Sequence, residues 1–247
     1  LTHQQVEKTI QSEMIDYVVF TGSVAGGLSI QQAASSRFIP VGLELGGKDP
    51  AYVRSDADLS YTASQLVDGA FYNSGQSCCG VERIYVHHDI FDDFIEAYVS
   101  EINHYRLGHP LAEGVNLGPM VSEQASAWAR SQVQSALSQG ATALVDSQKI
   151  ATGDLHPAYM PPQVLIDVDH TMSLMSEESF APIVGIMSVR SDRDAVTLMN
   201  DSEFGLTASV WTEDDQAART IGNEIRTGTF FQNRCDYLDP ALVWTGV

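Results

Sequence analysis

Cys78 stands in a run, Phe71-Tyr72-Asn73-Ser74-Gly75-Gln76-Ser77-Cys78-Cys79-Gly80, that sets a small nucleophile among glycines and polar residues. Thirty-four positions upstream, Glu44 lies between Leu43 and Leu45 and is followed by Gly46-Gly47-Lys48. A thiol that attacks a carbonyl and a carboxylate that takes a proton from water are the two groups that acyl chemistry through a thioester requires. A lone cysteine is usually a buried, inert residue, and a glutamate at a strand end is usually a solvated one. The pairing, not either segment alone, carries the reading. Cys79 is the rival nucleophile, and residue chemistry by itself leaves the choice between the two thiols open.

These groups need elements to hold them. Val6, Ile10 and Met14 have helical spacing over about 5–14, and Tyr17-Val18-Val19-Phe20 reads as a short buried strand. Thr21-Gly22-Ser23 breaks that strand, Ser23 caps a helix running to Ala34, and Pro40 to Leu45 forms the next strand. Strand, turn, helix and strand make a βαβ unit, which implies parallel pairing. A helix over about 58–73 runs directly into the Cys78 turn, and Glu82 to Val86 follows as a strand. Helices are then expected from Asp89 to about Tyr105 and from about Ser122 to Gln139, the second ending at Gly140 as a cap. Ala143 to Val145 and Gln163 to Ile166 read as strands joined by a polar loop carrying Gly153 and Pro157. Ile183 to Val189, Leu206 to Trp211 and Gly228 to Asn233 read as strands, with helices at Asp192 to Asn200 and Asp214 to Arg226. The expected fold is α/β, a mostly parallel sheet flanked by helices over 45–247, preceded at 1–44 by the end of a neighbouring domain.

Composition narrows the function classes. With 247 residues, 44% hydrophobic and 18% charged, the chain is ordinary globular protein with length enough for a large core. A net charge of −19 disfavours nucleic acid and anionic membranes, both of which reward clustered Lys and Arg. No stretch is long and apolar enough for a membrane span, and no secretory signal pattern is present. Three cysteines, two of them adjacent, make neither a disulfide framework nor a zinc site, so no metal is expected and a reducing, cytoplasmic setting fits.

Several ordered motifs resemble the NAD(P)-dependent aldehyde dehydrogenase superfamily. They are Phe20-Thr21-Gly22-Ser23, Leu43-Glu44-Leu45-Gly46-Gly47-Lys48, Gly75-Gln76-Ser77-Cys78, Glu177-Glu178-Ser179-Phe180-Ala181-Pro182, the stretch from Asn200 to Ala208, and Gly228 to Asn233. The resemblance implies a catalytic domain preceded by the last part of a dinucleotide-binding βαβ domain. It selects Cys78, two residues after the glutamine, as nucleophile and Glu44 as the base for hydrolysis. By the same resemblance NAD or NADP is the cofactor. Gly22 and Ser23 face its pyrophosphate at a helix N-terminus, Leu45 and Gly46 lie against it, Glu178 takes the nicotinamide ribose hydroxyls, and Phe180 packs near the nicotinamide. Two departures stand out: Val24-Ala25 replaces a more polar pair, and Ala181 replaces the usual glycine.

The implied reaction oxidises a small-molecule aldehyde to a carboxylic acid through a thiohemiacetal and a thioester on Cys78. Because such enzymes are about twice this length and Leu1 stands where a complete chain has methionine, we expect a part of a longer, homo-oligomeric enzyme, with little activity alone. The second oxyanion donor of the family, an asparagine, would lie upstream. The competing readings are an acyl-phosphate reductase of the same fold, a cysteine hydrolase or acyltransferase with a histidine base, and a non-catalytic scaffold. Tyr72, Ser77, Cys79 and the Arg234-Cys235-Asp236-Tyr237-Leu238 loop are the candidates to line the aldehyde path, with Arg234 able to meet a substrate carboxylate or a surface acid.

Overall fold

Short polar side chains set where the helices begin. Ser23, Asp58, Ser122, Ser191 and Asp214 each accept a backbone N–H from the first turn that follows them, satisfying donors that a helix start otherwise leaves free. The computed structural model describes residues 1–146, 150, 155–241 and 243–247. It divides into two compact units, Leu1–Gly46 and Gly47–Thr245.

In the first unit, α1 (His3–Gln11) and α2 (Val24–Ala34) accompany β1 (Val18–Thr21) and β2 (Val41–Glu44). The two strands pair in parallel, from Val18 with Val41 to Thr21 with Glu44, as the βαβ reading requires. Ile10, Ala33 and Ala34 form its small core. Helix α1 starts and stops earlier than its apolar spacing suggests. A reciprocal cap between Thr2 and Gln5 sets its start, and Ser12 turns extended at its end.

In the second unit the strands are β3 (Asp49–Val53), β4 (Val81–His87), β5 (Thr142–Ala143), β6 (Gln163–Ile166), β7 (Ile183–Val189), β8 (Thr207–Trp211) and β9 (Thr229–Gln232). The helices are α3 (Leu59–Phe71), α4 (Phe91–Ile102), α5 (Glu123–Ser138), α6 (Ser173–Ser176), α7 (Asp192–Asn200) and α8 (Asp215–Gly222). Sheet order is β5-β6-β7-β4-β3-β8-β9. Every pair is parallel except β5 with β6, so the fold is α/β with a mostly parallel sheet. Alternation splits the core between its two faces. Tyr52, Tyr85 and Val210 belong to one cluster, while Ala51, Val53, Ile84, Val86 and Trp211 belong to the other. Burial on both faces is why these strands read as continuous apolar runs.

Four elements differ from the sequence reading. Strand β3 was not expected, because Pro50 cannot donate to a ladder and Asp49 is a poor strand former. The register slips between Asp49 and Pro50 to admit them, and Asp49 is satisfied by the Thr207 N–H and hydroxyl. Helix α8 stops at Gly222 rather than Arg226, because the Asn200 side chain bonds the Glu224 carbonyl and the Arg226 N–H and draws that backbone away. The expected 89–105 helix becomes a 3₁₀ turn, His88–Ile90, followed by α4. Strand β5 is Thr142–Ala143 rather than Ala143 to Val145, although the Leu144 N–H still reaches the Val164 carbonyl. Gly153 of the expected loop lies outside the described residues. Among the described residues no helix is long and apolar enough to cross a membrane.

Candidate active site

Helix α3 ends in a turn of unusual backbone. Asn73, Ser74 and Gly75 follow one another at φ 52°, 59° and 68°, a left-handed conformation that non-glycine residues adopt at a cost. Side chains hold it there. Asn73 and Gln76 exchange side-chain-to-carbonyl hydrogen bonds at 3.1 and 3.0 Å, and the Ser74 hydroxyl donates to the Gly118 carbonyl at 2.8 Å. Gly75 has no substitute, since a Cβ there would sit 2.1 Å from the Ala181 carbonyl oxygen. The turn therefore presents Ser77, Cys78 and Cys79 immediately before β4 and packs against the 181–182 backbone.

The two adjacent thiols occupy different environments. Cys78 is half-buried, whereas Cys79 is buried, and neither is in a disulfide. The Cys79 Sγ donates to Asp236 Oδ1 at 2.9 Å, and the Ser77 hydroxyl donates to the same oxygen at 2.8 Å. Hydrogen bonding from Cys79, opposed by burial and helped by the Cys78 backbone N–H, brings the Cys78 thiol down to about 7. The same hydrogen bond to Cys78, followed by burial, pushes the Cys79 thiol strongly up. Exposure and the Asp236 bond, with which these shifts agree, mark Cys78 as the sulfur open to a substrate and Cys79 as its supporter.

Cys79 has one proton, however, and the Cys78 thiolate and the Asp236 carboxylate compete for it. Cys78 reaches its lowered value when Cys79 turns that proton towards it, and the Asp236 charge also works against the thiolate. Iodoacetamide alkylation of Cys78 should therefore rise with pH around a midpoint near 7. Cys79→Ala should move the midpoint up, and Asp236→Asn should move it down. Tryptic mapping of alkylation against pH checks both signs, and identical midpoints in all three proteins would refute the competition.

A second convergence lies beside the thiol turn. The Gly47 N–H donates to Glu178 Oε1 at 3.0 Å, and a Cβ on Gly47 would fall 2.3 Å from the Cys78 carbonyl oxygen. Gly47 thus joins the Glu178 segment to the nucleophile turn by its lack of a side chain. Glu178 Oε2 accepts no hydrogen bond among the described residues, which leaves an acceptor for a diol. Burial, chiefly, raises the Glu178 carboxyl above its usual range. Phe180, 40% exposed, takes a left-handed φ of 46°. The structure therefore brings Cys78, Glu178 and Phe180 into one neighbourhood.

The remaining expected site residues belong to the first unit. Glu44, half-buried, ends β2, with Leu45 and Gly46 directly after it. Ser23 caps α2 by accepting the Gly26 N–H at 3.1 Å. The Gly22 N–H is already spent on the Glu44 carbonyl at 3.0 Å, and the Gly27 N–H goes to the Ser23 carbonyl. The donors this leaves at the helix start are the N–H groups of Val24 and Ala25. Gly22 contributes space instead: the Phe20 ring covers it, 2.6 Å from where a Cβ would stand.

Sequence reasoning singled out Cys78, Glu178 and Phe180 but passed over Gly47, Lys48, Ser179 and Glu82. A signal for the last was present, because Glu82-Arg83 is a charged pair inside the otherwise apolar run Val81 to Val86. Arg234 forms no ion pair among the described residues; its guanidinium stacks on the Tyr237 ring, 3.0 Å from the centroid. No histidine bonds Cys78 among the described residues. His170, a largely buried histidine with an acid on its ring, is engaged by Asp201 at 2.7 Å and Tyr85 at 2.8 Å.

The family model described as "Aldehyde dehydrogenase family" matches residues 2–247. A succinate-semialdehyde dehydrogenase [NADP(+)] of Mycobacterium tuberculosis is 32% identical over 98% of this chain and 52% of its own length. An aldehyde dehydrogenase of Paenarthrobacter nicotinovorans is 35% identical over 96% of this chain and 51% of its own. Among solved structures, the NADP complex of an NADP-dependent glyceraldehyde-3-phosphate dehydrogenase from Bacillus halodurans aligns at a TM-score of 0.90 and 33% identity, covering 98% of this chain and 49% of that one. A betaine aldehyde dehydrogenase of Staphylococcus aureus in complex with NAD+ also gives 0.90, at 27% identity over 98% and 48% of the two chains. The chain thus spans about half the length of the relatives it matches.

Proposed function

From a chain that belongs to the aldehyde dehydrogenase family, we propose that it supplies the thiol and the base for NAD(P)-linked oxidation of an aldehyde to a carboxylic acid, within a protein of its relatives' length. The observation that carries this reading is the half-buried Cys78 thiol beside a Glu178 carboxylate whose Oε2 accepts no hydrogen bond among the described residues.

Cys78 thiolate adds to the aldehyde carbon, and its own backbone N–H, which supports the thiolate beforehand, turns to the developing oxyanion. Glu178 Oε2 would take the ribose hydroxyls of a bound dinucleotide, and the N–H groups at the start of α2 are donors of the kind that would take a pyrophosphate. Bound NAD(P)+ supplies the hydride acceptor. Loss of hydride from the adduct leaves a thioester on Cys78. Glu44 then takes a proton from water, which attacks the thioester carbonyl and releases the acid and the thiolate. Three free thiols support a reducing, cytoplasmic setting, and the homo-oligomer implied by the resemblance belongs to the same reading.

Mass spectrometry of the full-length protein carrying Glu44→Gln tests it. With an aldehyde and NAD(P)+, an acyl adduct should accumulate on the peptide containing Cys78, and omission of the cofactor should prevent it. Acylation by an ester without cofactor dependence on aldehyde would favour a hydrolase, and an adduct confined to Cys79 would overturn the assignment.

A further inference from the structure

Lys48 is 1% exposed and Glu82 is 4% exposed, yet both are ionisable and neither takes part in the chemistry above. The Lys48 ammonium donates to Glu82 Oε2, a very close contact, and to the Ser179 hydroxyl at 3.1 Å. Glu82 does more than neutralise the lysine. Its Oε2 accepts the Ser179 N–H at 2.8 Å, and its Oε1 accepts the Phe180 N–H at 2.9 Å. The pair therefore grips the backbone of the segment that carries Glu178 and Phe180. It does so from β4 and from the residue just before β3, elements whose ends also frame the Cys78 turn.

That segment has little of its own to hold it in place. It belongs to no helix or strand, and Phe180 is left-handed without being glycine. The Gly47 N–H on Glu178 and the close seat of Ala181 on Gly75 also restrain it, and backbone hydrogen bonds tie its ends at Glu177, Ala181 and Pro182. A left-handed phenylalanine persists only where its surroundings over-determine it, and the carboxylate that receives two consecutive N–H groups supplies that constraint. Lys48 in turn fixes the carboxylate. Its backbone is anchored as well, because Arg83 Nε donates to the Lys48 carbonyl at 2.8 Å.

We propose that the buried Lys48–Glu82 pair is a positioning device that sets Glu178 and Phe180 at their working distance from Cys78, and so governs binding of the nicotinamide end of the cofactor. This rests on the dehydrogenase reading of the site. Neither residue touches cofactor or substrate; both act through the Ser179 and Phe180 backbone.

The test compares wild type with Glu82→Gln, Ser179→Ala and the double variant Lys48→Met/Glu82→Met in the full-length protein. Two quantities are read, the KM for NAD(P)+ and the rate at which iodoacetamide alkylates Cys78 without cofactor. Glu82→Gln and the double variant should raise the cofactor KM at least tenfold. Ser179→Ala, which removes a single acceptor from Lys48, should raise it only a few-fold. Alkylation should stay within twofold of wild type in all of them, because the thiol turn is held by Asn73, Ser74 and Gln76. The double variant keeps the proposal testable if Glu82→Gln does not fold, since it leaves no charge buried alone. An unchanged cofactor KM with normal alkylation would overturn the positioning role. Parallel loss of alkylation would overturn it too, by showing that the pair merely maintains the fold. Failure of the dehydrogenase reading looks different: wild type itself would then reduce no NAD(P)+ with any aldehyde.

Discussion

Cys78→Ala should lower aldehyde-dependent NAD(P)+ reduction by about three orders of magnitude or more, the scale expected when the group that forms the covalent intermediate is removed. Cys79→Ala should leave the reaction working. The contrast follows from what each sulfur faces. Cys79 is buried and donates a hydrogen bond to Asp236 at 2.9 Å, and its thiol is pushed strongly up. Cys78 is half-buried and ionises near 7. When Cys79 turns its proton from Asp236 towards Cys78 it is the largest stabiliser of that thiolate, so its loss should cost several-fold in rate at neutral pH, most of it recovered at higher pH. The recovery separates a supporting role from a chemical one, because no pH restores a missing nucleophile. Steady-state rates of cofactor reduction across pH decide it. Full activity in Cys78→Ala would reject the mechanism.

Glu82→Ala should destabilise the protein by about 3–5 kcal/mol, the range for stranding one member of a buried ion pair. With a chain of this size that corresponds to a fall in melting temperature of roughly 6–20 °C. The cause is Lys48, whose side chain is inaccessible to solvent and whose ammonium would keep, among the described residues, only the Ser179 hydroxyl as a partner. Burial already lowers the Lys48 ammonium pKa, and Glu82 counters that, so the stranded lysine should lose its proton to escape the penalty. Lys48→Met/Glu82→Met should recover most of the loss, since paired apolar replacements of buried charges are often neutral or better. Denaturant unfolding of the four members of the cycle measures the coupling. A double variant no more stable than Glu82→Ala would show that Glu82 matters chiefly through the Ser179 and Phe180 N–H groups.

Much of the fold was legible because local patterns and global burial agree. Helix starts at Ser23, Ser122 and Ser191 are marked by residues that cap them, and β7 shows its apolar run with the boundaries it has in the structure. Strand β3 was illegible for the opposite reason. Its first two residues, Asp49 and Pro50, disfavour a strand locally, and only pairing with β4 and β8 on either side overrides them. Helix α8 ended early through a contact from Asn200, which no reading of residues 214–226 contains.

Order and spacing of the motifs carried the resemblance from which a nucleophile at Cys78, a base at Glu44 and a cofactor carboxylate at Glu178 are proposed, because such roles depend on residue type and on the turn each residue occupies. Tertiary structure alone decided what supports them. Asp236 meets Cys79 across 157 positions, Glu82 meets the Ser179 N–H across 97, and Lys48 meets Glu82 across 34. Such pairings are set by strand register and by which loops share a sheet end. Chain distance carries no record of either, so a sequence shows the charges and withholds their partners.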